Sequence, residues 1–262
     1  MPELPEVETV VRSLAPRVAG RHIVSAEFLA PRVLRHAKDL TPEVLQGQSI
    51  SSIERRGKFI VILLERGALV IHLGMTGKLL FDTPVTPYTR AIFGLDDSTL
   101  LYEDVRQFGS IEYSAEVPER VGRLGPEPLE ITPEEFYRAL HARNTVVKAA
   151  LLNQRVVRGM GNIYTDEALF RARIDPRTKA NRLSRVRTGR LHAAMVKVLR
   201  EAIRNRGSSI SNYVDSEGRK GGFQILHRVY GRAGKPCREC GTPIRKTVVA
   251  QRGTHYCPKC QK

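Results

Sequence analysis

Apolar residues recur at helical spacing near the start of the chain, where Val7, Val10, Val11, Leu14 and Val18 share one face over residues 5–18. Pro5 suits the first turn of that helix, and Glu6 and Glu8 suit its positive end. Short runs rich in Val, Ile and Leu follow at Ile23–Phe28, Phe59–Leu64, Leu69–Leu73, Leu100–Glu103 and Ser110–Tyr113, separated by Gly, Pro and Asp. No helical pattern alternates with them, so the pattern predicts a mostly antiparallel sandwich rather than a parallel sheet. Gly125-Pro126-Glu127-Pro128-Leu129 reads as a linker. Thr132-Pro133-Glu134-Glu135 reads as a helix start, with Thr132 as cap and Pro133 in first position. Helical patterns recur at 145–153, 162–172 and 188–204, residues 214–222 form a polar Gly-rich loop, and a short cysteine-containing module begins near residue 225. No internal repeat or low-complexity tract interrupts the order.

Composition sharpens this picture. The 262 residues, 41% hydrophobic, suffice for one large or two modest cores. No run of about 18 apolar residues predicts a membrane span, and the acidic N-terminus has no apolar signal region. The expectation is a soluble, cytoplasmic protein. Charge is divided unevenly: residues 1–140 carry 16 Lys+Arg and 20 Asp+Glu, and residues 141–262 carry 27 and 7, which is −4 against +20. A cationic body of that density suits a polyanion, because each phosphate it neutralises releases condensed counterions. An anionic membrane surface suits it less well, since no basic amphipathic stretch stands out.

All four cysteines lie in the last 26 residues, as Cys237-x2-Cys240-x16-Cys257-x2-Cys260. Each Cys-x2-Cys pair can grip one metal from a tight knuckle, which predicts a four-thiolate Zn²⁺ ribbon. Two disulfides or a redox pair would use the same residues, but nothing else in the chain points to an oxidising compartment. Four thiolates leave no open coordination position, so the ion is structural and contributes to folding. Gln251-Arg252-Gly253 lies between the knuckles, where an Arg at a hairpin tip can fork onto a phosphate or remain an ordinary exposed charge.

Two further stretches admit two readings each. Gly159 and Gly161 allow a tight turn, with Asn162 as N-cap of the next helix. This is either a simple helix hairpin or, among Arg143, Lys148, Arg155 and Arg158, a phosphate-binding helix start. Met1-Pro2 is a sequence from which the initiator methionine is expected to be removed. The freed secondary amine is partly neutral at pH 7, since an α-amino group titrates at about 8. It could attack a sugar C1′ to form an iminium, with Glu3 and Glu6 close by as proton donors and acceptors. The same residues could equally be nothing more than an acid-rich helix start.

Taken in order, Pro2-Glu3-Leu4-Pro5-Glu6-Val7-Glu8-Thr9, His72-Leu73-Gly74-Met75-Thr76-Gly77, Leu124-Gly125-Pro126-Glu127-Pro128-Leu129, Gly161-Asn162-Ile163-Tyr164 and the four-cysteine ribbon resemble the formamidopyrimidine-DNA glycosylase / endonuclease VIII family. The resemblance runs from residue 2 to residue 260. It implies an α+β, two-lobed fold. Residues 1–124 would form a catalytic β-sandwich, 125–131 a linker, 132–224 a helix-two-turns-helix domain carrying a lesion-capping loop at 214–222, and 225–262 a zinc finger. Duplex DNA with oxidised bases or abasic sites would be the partner, the enzyme would be a monomer, and one Zn²⁺ would be its cofactor.

The resemblance also implies roles. Pro2 is similar to the Schiff-base nucleophile and Glu3 to the general acid. Glu6 and Glu167 resemble supporting carboxylates. Lys58 matches a lysine assigned to β-elimination and phosphate contact, and Arg252 the finger arginine assigned to phosphate grip and δ-elimination. His72, Arg143, Lys148 and Asn162 match positions that hold DNA. Met75, Arg106 and Phe108 match residues that fill the void left by a flipped base, which offsets part of the unstacking cost. That triad, Leu4 and the loop 214–222 favour oxidised purines such as 8-oxoguanine. An endonuclease VIII-like preference for oxidised pyrimidines and a non-enzymatic DNA-binding zinc ribbon are the alternatives. Two departures from the family pattern stand out. Asp104-Val105-Arg106-Gln107-Phe108-Gly109 replaces an Asp-Pro-Arg-Arg-Phe-Gly run, which is expected to loosen the loop and remove a phosphate charge. A histidine before the strand at 91–95 is also absent, with Tyr88 and Thr89 in that area.

Overall fold

A computed structural model describes residues 1–35, 40–210 and 212–262. These form two compact units, Met1–Arg123 with Asn205–Gly222, and Leu124–Arg204 with Phe223–Lys262.

In the first unit, α1 (Leu4–Val18) precedes β1 (Ile23–Phe28), a single turn α2 (Pro42–Leu45), and the strands β2 (Ile50–Arg56), β3 (Phe59–Leu64), β4 (Ala68–His72), β5 (Gly77–Phe81), β6 (Thr89–Leu95), β7 (Ser98–Asp104) and β8 (Ser110–Ser114); a short α3 (Glu119–Gly122) closes it. The strands make two antiparallel four-stranded sheets, ordered β1-β6-β7-β5 and β2-β3-β4-β8. The apolar stripe of α1 and the inward residues of both sheets share one core, among them Leu14, Ile60, Ile71, Phe93 and Tyr102. Hydropathy identifies the apolar central strands. It passes over β2, whose Ser51, Ser52, Glu54, Arg55 and Arg56 are polar, and β5 and β6, because pairing with already buried strands sets their place.

The second unit holds α4 (Pro133–His141), α5 (Val147–Leu152), α6 (Asn162–Arg171), α7 (Arg185–Arg204) and a hairpin of β9 (Arg245–Val249) and β10 (Arg252–Tyr256). Thr132 caps α4 as its sequence predicts: Thr132 Oγ1 accepts from Glu135 N–H at 3.2 Å, and Glu135 accepts in return from Thr132 N–H at 2.9 Å. α7 buries Leu191, Met195, Val198 and Leu199. The finger strands are too polar to be read from hydropathy, and the cysteines rather than a large apolar core organise them.

The segment 205–222, which the sequence reading attaches to the helical domain, has its contacts in the first unit. Ser208 N–H donates to Glu6 Oε1 at 2.7 Å, the Tyr213 hydroxyl donates to the Glu6 carbonyl at 3.2 Å, and Ser216 and Ser13 hydroxyls bond at 2.7 Å. Gly207 makes the approach possible. It sits at φ +73°, and a Cβ there would lie 2.6 Å from Glu6 Oε1. Gly207→Ala should therefore lose on the order of 2 kcal/mol or more, whereas Gly20→Ala, at φ +82° with open space around it, should lose only about 1 kcal/mol of backbone strain. Thermal unfolding of the two variants compares them, and equal losses would contradict a tight Gly207–Glu6 contact.

Candidate active site

Pro2 is buried beneath an exposed Met1, and Glu3 follows at the N-cap of α1 in extended backbone. Glu6 is the third residue of the helix. Its Oε2 accepts from Glu3 N–H at 2.8 Å while its Oε1 accepts from Ser208 N–H. A carboxylate held by backbone N–H groups at a helix N-terminus is favoured by the helix dipole as well as by the bonds. Glu6, only 1% exposed, thus fixes the residue next to Pro2, while Glu3 is itself 3% exposed. Two residues on, Glu8 accepts from Arg55 of β2 at 2.8 Å and from Arg12 at 2.7 Å. Burial would raise the Glu8 carboxyl, but these two guanidinium groups outweigh it and hold it below the usual range.

Arg55 leads into the β2–β3 turn, where Gly57 adopts φ +62° and Lys58 is buried. Phe59 faces His72 across β3 and β4, with ring centroids 5.1 Å apart. Gly74 N–H donates to His72 Nδ1 at 3.1 Å, which leaves the proton on Nε2. Burial, then the charges of Lys58, Arg120 and Arg35, push the imidazole down to about 4. Lys58 and His72 therefore share one end of the sheet as a cation beside a neutral N–H donor.

Met75, Arg106 and Phe108 come together on the surface. The Arg106 guanidinium lies 4.5 Å from the Phe108 ring centre and points an N–H at Met75 Sδ, 3.4 Å away; Met75 and Phe108 are each 43% exposed. Large apolar side chains left exposed in such a cluster suit a binding role better than a core role. Val105 sits in a loop held by its neighbour Asp104. Buried Asp104 accepts from Gly109 N–H at 2.8 Å, from Arg106 N–H at 3.2 Å and from the Thr76 hydroxyl, while Arg90 donates to the Asp104 carbonyl at 3.0 Å. One carboxylate thus ties the Met75 turn to the Arg106–Phe108 loop. Gln107 takes φ +52° between the two, a strained value for a non-glycine residue. The loop 214–222 is built around Asp215, whose carboxylate accepts from Glu217 and Arg219 N–H groups, and Ser216 accepts from Phe81 N–H at 2.9 Å on the edge strand β5.

In the second unit the structure gives three of these residues partners within the protein that the sequence does not show, and it moves the cap of α6 from Asn162 to Gly161. Lys148, read as a backbone-phosphate contact, is fully buried: its ammonium donates to Asp166 at 2.7 Å, Thr254 Oγ1 at 2.8 Å and the Gly253 carbonyl at 3.1 Å. Glu167, read as a carboxylate supporting the proline chemistry, accepts from the N–H groups of Arg228, Val229 and Tyr230 at 2.9–3.0 Å. Desolvation raises its carboxyl, opposed by those backbone bonds. Adjacent acids of α6 thus grip the finger at two places, since Asp166 also accepts from His255 N–H at 2.8 Å. Asn162 is the first residue of α6 rather than its cap, which is Gly161, and its amide donates to the Gly253 carbonyl at 2.9 Å. Arg252 stands exposed one residue beyond the hairpin tip, Ala250-Gln251, and Arg143 is exposed after α4. Asp104, Asp166 and Ser208 were not singled out from sequence. Two adjacent acids inside an otherwise apolar helical stretch were the available signal for Asp166; nothing local marks Ser208.

The four cysteine sulfurs lie within 4.8 Å of one another, with Cys237–Cys260 at 3.9 Å and Cys240–Cys257 at 3.5 Å. A tetrahedral Zn²⁺ with Zn–S of about 2.3 Å sets sulfurs about 3.8 Å apart. The set is that of one structural Zn²⁺.

Three family models match in chain order: the formamidopyrimidine-DNA glycosylase N-terminal domain over residues 1–111, its H2TH domain over 124–214, and a zinc finger found in FPG and IleRS over 234–262. A formamidopyrimidine-DNA glycosylase of Solibacter usitatus is 57% identical over 264 residues, covering all of both chains. This chain belongs to the formamidopyrimidine-DNA glycosylase family. Two Lactococcus lactis Fpg structures are similar throughout. A variant in complex with Fapy-dG-containing DNA has TM-score 0.91 at 36% identity and covers 100% of both chains; a complex with abasic-site DNA has TM-score 0.90 at 36% identity over 99% of each. Among the described residues, no helix is long and apolar enough to cross a membrane.

The His72 assignment carries a pH consequence. Its folded value lies below the ordinary one of about 6.5, so between pH 6.5 and 4 the unfolded chain binds the extra proton and stability falls as pH falls. NMR of the His72 ring should show a neutral Nε2–H tautomer at pH 6, titrating near 4. A midpoint near 6.5 would contradict the buried, cation-flanked geometry.

Proposed function

We propose that this protein is a bifunctional DNA glycosylase and abasic-site lyase of base excision repair, acting on oxidised purines in duplex DNA. The observation that carries the reading is the buried start of α1, where Glu6 pins Glu3 directly beside Pro2. Once Met1 is removed, the Pro2 amine attacks C1′ of the damaged nucleotide. Glu3 gives its proton to the departing base, takes back the proton that Pro2 nitrogen carries after attack, and passes it to O4′, so the sugar opens and leaves an iminium on Pro2. The iminium is an electron sink, so loss of a C2′ proton expels the 3′-phosphate by β-elimination, and δ-elimination then releases the 5′-phosphate. Lys58 and the His72 Nε2–H contact the phosphates near the reacting sugar, and Arg252 and Arg143 take flanking ones. Asn162 acts on the DNA by holding the Arg252 strand in place.

Met75, Arg106 and Phe108 enter the stack when the lesion flips out, with Arg106 facing the orphaned base. The loop 214–222 covers the flipped purine. The zinc finger provides rigidity, and no chemical step passes through its metal. The protein works in the bacterial cytoplasm, on the nucleoid.

Borohydride added to enzyme and an 8-oxoguanine:C duplex should reduce the iminium and trap a covalent complex, faster than with a thymine glycol:A duplex. Absence of a complex from chains whose N-terminal residue is proven to be Pro2 would overturn the mechanism. Faster trapping on thymine glycol would reassign the substrate to oxidised pyrimidines.

A further inference from the structure

The +20 of the C-terminal half is not used up by the residues assigned to DNA. Part of it lines a cavity of about 410 Å³ in the second unit, between α7, the end of α6 and the metal knuckle. Buried Phe170 and Ala194 supply its apolar floor, and exposed Ala193 and cationic side chains form the rim. Two carboxylates occupy part of that rim: Glu201 pairs with Arg171 at 2.7 Å, and Glu239 lies 3.6–3.7 Å from Arg228 and Arg173. Arg190 and Lys197, exposed two turns apart along α7, have no ion-pair partner among the described residues. A second depression of about 390 Å³ shares Arg173 and Arg190 and adds Arg187, Lys259 and Lys262 without any acidic side chain, although Arg187 already donates to the Lys262 carbonyl oxygen.

Within the second unit this cavity is separate from Asn162 and Arg252. Asn162 opens α6 and Phe170 and Arg171 end it, so at 1.5 Å per residue the cavity lies about 13 Å along the helix from Asn162. The finger repeats the arrangement: Arg252 starts β10, whereas Cys260 of the knuckle lines the cavity.

We propose that this cavity docks a protein partner through an acidic peptide segment carrying one apolar side chain. Charge complementarity selects an anionic occupant. The concave, apolar floor selects one with a side chain to bury, and a phosphate backbone has none. Glu201 and Glu239 point the same way: they repel a uniform row of phosphates, whereas a peptide can set its carboxylates against Arg190 and Lys197 and turn backbone N–H groups toward the acids. A repair enzyme would in this way be recruited without giving up its DNA-holding face.

The test uses the zinc-loaded full-length protein and a fluorescein-labelled decapeptide of Asp and Glu ending in Phe, read by anisotropy. Wild type should bind it with micromolar affinity. Arg190→Glu combined with Lys197→Glu should weaken binding about tenfold or more. Ala193→Trp, which fills the cavity without altering charge, should also weaken it, and replacing the terminal Phe of the peptide by Ser should do the same. Affinity for an abasic-site duplex and the melting temperature should stay unchanged in both variants. The proposal is overturned if the peptide fails to bind, or if the Ser peptide binds as well as the Phe peptide, which would mean unspecific attraction. It is equally overturned if the charge variant loses duplex affinity in proportion, which would make this face a second DNA surface.

Discussion

A carboxylate held by two backbone N–H groups sets the geometry on which the first unit depends. Glu6 accepts from Glu3 with one oxygen and from Ser208 with the other. The two donors are 205 residues apart in the chain, so a single side chain joins the first turn of α1 to a segment that returns from the end of α7. A chain terminus is ordinarily the least ordered part of a domain. Here Pro2 and Glu3, directly behind an exposed Met1, are buried and braced, which is the orientation that the proposed attack by Pro2 would need to be effectively unimolecular.

The same device recurs wherever a working residue must be held on an irregular segment. Asp104 binds the two loops that carry Met75, Arg106 and Phe108, and Gly109 is needed there because a Cβ would lie 1.9 Å from the Tyr102 hydroxyl. Asp166 and Glu167 fasten the finger to α6 at two places, with Lys148 as counter-ion. In each case a buried acid spends its lone pairs on backbone N–H groups, which compensates the cost of burying it. Removing one partner of the Lys148–Asp166 pair would strand a buried charge, so that pair anchors the finger to α6.

Much of this was legible in the sequence, for identifiable reasons. Helical spacing marked α1, Thr132-Pro133 marked the start of α4, and cysteine spacing marked the metal site, because each is a local signal. Long-range partners were not legible. Nothing in Lys148-Ala149-Ala150 shows that its ammonium meets Asp166 and the finger, and so its charge read as a DNA contact. Nothing near Gly207 shows that Glu6 lies against it. The ordered set of motifs identified the family, and the structure added which of the charged residues are buried in ion pairs, as Lys148 is, and which stand exposed, as Arg143 and Arg252 do.

The central claim is that Glu6 acts by fixing the N-terminal amine. It is tested most directly by the rate of imine formation between Glu6→Gln and a preformed abasic-site duplex, a substrate that bypasses base excision. The Gln amide would turn a donor toward one of two N–H donors, loosening Glu3 and Pro2 by a fraction of an ångström. Imine formation should slow by about tenfold to a hundredfold, with zinc content and duplex affinity unchanged. An unaltered rate in a folded, zinc-loaded variant would contradict the account.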